Sequence, residues 1–155
     1  MFESTLATTQ DADLILKLYQ LRTESVMRQA RAWAVGEFYP ENAGEVLAVQ
    51  ATLSSQESCW LRQVSSYWDM AAAFVLHGAL NAELFLDCNN EPFFLFAKFE
   101  AFLPEIRRKS PHFFSKVEQI VAEYPAARER VNQLSQGMPA RKAAAQAARN
   151  SSPYR

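Results

Sequence analysis

Glycine is scarce, with four residues in a chain of 155. An architecture of many short strands needs tight turns at frequent intervals, and this sequence does not supply them, so a sandwich or small barrel is excluded and helices are expected. Cysteine is scarcer still: Cys59 and Cys88 stand apart, with no CxxC and no histidine at metal-ligand spacing. Neither a zinc site nor a disulfide framework follows, and both are read as small hydrophobes. Long apolar runs are also missing. No segment approaches the roughly 18 to 20 residues of a membrane span, and the opening "MFESTLATTQDAD" has no basic start followed by an apolar run. No membrane association is expected, and the chain reads as soluble and cytoplasmic.

The common signatures of chemistry are absent too. There is no P-loop, no G-x-G-x-x-G, no G-x-S-x-G and no H-E-x-x-H. A helical bundle can hold two metals on paired Glu-x-x-His motifs, but the residue three before His77 is Phe74 and the residue three before His112 is Lys109. No cofactor or metal is indicated, and a non-catalytic role is expected.

The rest of the composition is that of a globular domain, 49% hydrophobic and 21% charged. The net charge of −1 conceals an asymmetry. Residues 1–100 carry 13 Asp/Glu against 6 Lys/Arg, a balance of −7, and residues 101–155 carry 4 against 10, a balance of +6. Two such halves attract each other, or offer the basic half to an acidic partner.

Periodicity predicts one amphipathic helix over about Asp11 to Trp33, with Ile15, Tyr19, Val26, Ala30 and Trp33 inward and Glu24 with Arg28 as a surface i,i+4 pair. Asn42 is placed to cap a short helix from Ala43 to Leu53, and Ser54 or Ser55 to open the next, with Ser54 and Glu57 in capping-box form. That next helix, near residues 55–77, is the central element: Trp60, Val64, Tyr67, Ala71 and Phe74 share a face that Leu61, Trp68 and Val75 widen. After Gly78, residues 84–99 read either as a β-hairpin turning at Asn89-Asn90 or, preferably, as helices capped by Asn81 and Asn90, with Glu91, Lys98 and Glu105 on the solvated side. Pro104 should bend or end that helix. Ser110 and Pro111 open a helix closed before Pro125, and a weaker one follows. From Gly137 the chain loses its apolar stripe. The prediction is an all-α fold, an irregular helical bundle of about five helices, with a helical domain over 1–136 and a flexible basic tail over 137–155.

Few side chains stand out as site candidates. Asp69 and His77 lie in the apolar stretch "YWDMAAAFVLHGAL", but eight residues on a helix separate them by about 12 Å of rise, so they form no dyad. Asp69 is expected to be solvated or locally paired, and His77 to serve the helix end before Gly78. Phe94 projects off the main aromatic stripe and suggests a subunit contact. Arg107, Arg108 and Lys109, with Arg141, Lys142 and Arg149, form basic runs too thin to compel nucleic-acid binding. Phe93, Phe96, Phe99 and Phe102 read as core, with an apolar ligand pocket between helices as the alternative.

The segment Tyr67 to Arg107, with "ELFLD" and "FAKFEAFLPEIR", is similar to small bacterial proteins of unknown function that share such a helical middle section. The resemblance implies an intracellular helical protein and transfers no catalytic or ligand residue. The expectation is a self-associating protein-interaction or regulatory module with an unknown protein partner. Nucleic-acid association through the basic C-terminal part, or binding of a small apolar ligand, are the alternatives.

Overall fold

The computed structural model describes residues 6–152. The first five residues, the start of the stretch read as lacking a basic, apolar leader pattern, and the last three of the basic tail lie outside the described residues. The chain is all-helical: α1 (Thr9–Arg22), α2 (Ser25–Gly36), α3 (Ala43–Ala51), α4 (Gln56–Leu76), α5 (Ala82–Cys88), α6 (Glu91–Phe99), a 3-10 turn (Glu100–Phe102), α7 (Leu103–Ile106), α8 (Ser115–Glu123) and α9 (Pro125–Asn150). The described residues contain no strand, which settles residues 84–99 as the helices α5 and α6.

Helix α4 is the centre of the bundle, packed against α2, α3 and α8, while α6 lies between α2, α8 and α9. Trp68 is fully enclosed, and Leu61, Val64, Ala71 and Ala72 are buried beside it. A second aromatic layer joins Phe99 to Phe113 and Phe114 at centroid distances of 5.4 and 5.6 Å. The helix ends follow local chemistry where the cap is local. Asn42, Ser55 and Asn81 each accept the N–H three residues on. Gly78, at φ 75°, turns the chain out of α4 in the left-handed conformation that glycine tolerates.

Three expectations need correction, while the break expected at Pro104 is found. The helix predicted over residues 11 to 33 is two helices, because Glu24 is an N-cap: its carboxylate accepts Met27 N–H at 3.0 Å, which ends its pairing with Arg28. The break resets the helical phase, and Tyr19 and Val26 face solvent while Leu18 and Met27 turn inward. Pro104 ends α6 five residues early, since its ring crowds the carbonyl of Glu100, and the chain tightens into the 3-10 turn before α7. Ser110 opens no helix, because its hydroxyl donates to Gln50 Oε1 at 3.0 Å and α8 begins only at Ser115. The chain does not lose helical structure at Gly137 either. Helix α9 runs through Gly137 and Pro139 to Asn150, with Leu134 and Met138 packed on the core and Lys142 paired to Glu41 at 2.8 Å. Alanine's high helix propensity carries the remaining, largely exposed turns. The expected all-α irregular bundle is what the described residues form, with nine α-helices that include short segments such as α5 and α7.

Candidate functional site

Asp69 and His77 are not brought together. His77 is exposed at the end of α4. Asp69 is half-buried, and its Oδ1 accepts the N–H groups of Lys116 and Val117 at 3.2 and 3.0 Å. It caps α8 from another helix, because Phe114, the residue before α8, has no capping oxygen and stands at φ 52°. Burial raises the Asp69 pKa, and the backbone donors of α8 oppose that shift.

Phe94, expected to project off the aromatic stripe, is buried within the chain. It is 5% exposed, with the Arg141 guanidinium 5.3 Å above its ring and Lys98 Nζ at 5.1 Å on the same ring. The basic residues divide. Arg107 donates to Phe113 O at 3.1 Å and pairs with Glu118, whereas Arg108, Lys109, Arg141 and Arg149 are exposed and Lys142 is partly covered.

The largest departures are Glu91 and Lys98, both expected on the solvated side. Glu91 receives Arg31 through two nitrogens, at 3.0 and 2.7 Å, and the Trp68 Nε1–H at 3.1 Å. Beside it Tyr67 donates its hydroxyl to Leu18 O, and burial pushes its pKa up to about 12. Lys98 is 6% exposed and donates to Ala34 O, Val35 O and Phe38 O at 2.6, 2.9 and 2.8 Å, with the Tyr39 ring 3.6 Å from Nζ. The ammonium completes the C-terminus of α2, where the helix leaves carbonyls without donors and its dipole is negative. Burial lowers its pKa to about 7. No sequence signal distinguishes these two from surface charges, because their partners lie far along the chain.

A surface concavity with a largely apolar floor lies between α3, α4 and the turn before α8. It measures about 260 Å³ and is lined by Gln50, Leu61, Arg62, Ser65, Ser110, Pro111, His112 and Phe113. Leu61 and Phe113 form a buried floor. Arg62 Nε donates to Ser58 O at 3.3 Å, and its terminal nitrogens have no acceptor among the described residues. A larger cleft of about 600 Å³ runs between the start of α1 and the Gly78–Glu83 segment. Among the described residues no group of three or more His, Cys, Asp or Glu is placed to hold a metal, and no helix is long and apolar enough to cross a membrane.

No curated protein and no solved structure matches the chain. Residues 7–124 match a domain of unknown function, DUF4760, whose span closes at Tyr124, the residue before α9 begins. With most of its length so matched, and with the all-helical fold described above, the chain belongs to the DUF4760 family.

Proposed function

We propose that the protein is a non-catalytic protein-interaction module, cytoplasmic and self-associating, whose contact element is the distal half of α9. One observation carries this reading. Helix α9 continues from Val131, its last buried residue, to Asn150, and over residues 140–150 it presents Arg141, Lys142 and Arg149 with no acidic side chain. Lys142 is paired with Glu41 and Arg141 lies over the Phe94 ring, and beyond them the helix end adds little to the stability of its own fold, since a run of this length is marginal in water. It does offer a cationic rod to an acidic surface, and residues 1–100 of another copy carry a balance of −7. Two free cysteines, Cys59 and Cys88, accord with a reducing compartment.

The test is the native mass of the full chain beside a variant carrying Arg141→Glu, Lys142→Glu and Arg149→Glu. The expected result is an integer multiple of the chain mass that falls to one chain in the variant. A wild-type protein that is monomeric across the working concentration range refutes self-association. A second reading, contact with nucleic acid, rests on the same basic run. Three phosphate contacts would weaken retention with a log–log salt slope of about −3, and retention without that slope excludes it.

A further inference from the structure

The cleft between α3, α4 and the turn before α8 has a construction that the interaction module does not use. Its floor is apolar and fixed. Phe113 packs edge-on against Phe99 and Phe114 at centroid distances of 5.4 and 5.0 Å, and Leu61 is 2% exposed beneath the rim. Its wall is held from several directions. Phe113 N–H donates to Ser110 O at 3.1 Å, Ser115 N–H to His112 O at 3.1 Å, Arg107 Nε to Phe113 O at 3.1 Å, and the Ser110 hydroxyl to Gln50 on α3 at 3.0 Å.

Phe114, directly after this wall, stands at φ 52°, a conformation that is strained for a bulky L-residue. Its ring burial and the Asp69 cap on α8 hold it there. The turn is therefore a rigid edge and not a loose loop.

The polar part of the lining carries one fixed charge, the Arg62 guanidinium, and no negative one. Arg62 spends only Nε on the protein, at Ser58 O, and keeps two terminal nitrogens for another acceptor. The His112 ring makes no hydrogen bond among the described residues and supplies an N–H donor in either protonation state. No carboxylate lines the cleft. Arg108 and Lys109, exposed and without ion-pair partners among the described residues, precede the turn and line no part of the cleft.

An apolar floor beneath a guanidinium and an imidazole N–H donor selects a particular ligand shape. A bare phosphate would leave the floor wet, and a hydrocarbon would leave the guanidinium unanswered. A carboxylate carried on one small ring or short chain satisfies both, because a carboxylate takes two parallel N–H donors from an arginine. A volume of about 260 Å³ sits near the lower end of small-molecule sites and suits one ring with its substituent.

We infer that the cleft formed by Leu61, Arg62, His112 and Phe113 is a binding site for a small free carboxylate with an apolar body. The Arg62 guanidinium and the His112 ring hold the carboxylate, and the body lies on Leu61 and Phe113. The site is separate from the distal half of α9, so it stands or falls independently of self-association.

The test follows backbone amide resonances of the full chain during titration with benzoate, and with benzamide, its uncharged analogue. Benzoate should move the amides of Ser65, Ser110 and Phe113 with a dissociation constant of about 1 mM or tighter. Arg62→Ala should weaken it by about tenfold or more, the loss expected for a charged hydrogen-bonded contact, and His112→Ala should weaken it less. Arg108→Ala, which lines no part of the cleft, should leave it unchanged. Both Arg62 and His112 are exposed, so these variants fold, and the unperturbed amides elsewhere report it. The proposal is overturned if benzoate at about 10 mM leaves those amides unmoved, a range that bounds weak binding. It is equally overturned if benzamide binds as well as benzoate, or if Arg62→Ala binds like the wild type.

Discussion

Replacing Lys98 by methionine removes an ammonium and keeps an unbranched stem of similar length, so it isolates the cap on α2 from the packing of α6. Three carbonyls lose their donor, and those of Ala34 and Phe38 have no other donor among the described residues, since Glu37 and Phe38 both donate to Trp33 O. Leaving a buried acceptor unsatisfied costs about 1 to 3 kcal/mol. Against this, the variant no longer buries a charge, which returns part of the loss. A net destabilisation of about 2 to 3 kcal/mol is expected, read from urea unfolding or as a fall in Tm of about 4 to 12 °C for a domain of this size. A pH series separates the cap from the charge. Burial sets the folded pKa of Lys98 at about 7, below the ordinary 10.5. Between those values the unfolded chain holds the proton and the folded chain does not, so stability rises with pH across that window and is lower below it. The advantage of the wild type over Lys98→Met should therefore grow from about pH 7 to pH 10. A loss below about 0.5 kcal/mol, the range of an ordinary surface change, would refute the capping argument. A flat difference across the pH window would show that the three carbonyls and the Tyr39 ring, not burial, govern the proton.

Two further substitutions have signs fixed by the backbone. Gly78→Ala should cost about 1 kcal/mol because φ is 75°, although no atom lies within 4 Å of the added carbon. Gly36→Ala, equally uncrowded but helical, should be neutral or stabilising by about 0.5 kcal/mol; thermal melts in which both move the same way would refute the distinction. Asp69→Ala should cost about 1 kcal/mol through the start of α8, and Asp69→Asn, which keeps an acceptor oxygen, should cost less. Equal losses in chemical denaturation would show that the two N–H contacts are not what Asp69 contributes.

What could be read from the sequence was what neighbours decide. Asn42, Asn81 and Gly78 act within three or four residues of themselves, and their roles follow from residue type and position. The central helix is equally legible, because its apolar face repeats over 21 residues. Glu24 was misread for the opposite reason: glutamate is an uncommon N-cap, and unbroken periodicity hid the two helices it divides. Glu91 and Lys98 recur seven apart with Glu105, the spacing of a solvated stripe, yet the first two reach Arg31 and the end of α2 across about 60 positions. Long charged side chains carry no mark of where their heads end, and the same holds for Asp69. The cleft at Arg62 and His112 was illegible because its lining comes from three separate segments of chain.

The dependence of α2 on Lys98 has a temporal side. During synthesis Phe38 is made 60 residues before the side chain that receives its carbonyl. At about 5 to 20 residues per second that interval is roughly 3 to 12 s. Through those seconds the end of α2 has no partner but water, and it acquires its fixed boundary only once α6 has been made. A nascent chain halted short of residue 98 should accordingly show amide exchange at the end of α2 as fast as in an unstructured peptide, and the boundary should sharpen only when α6 docks.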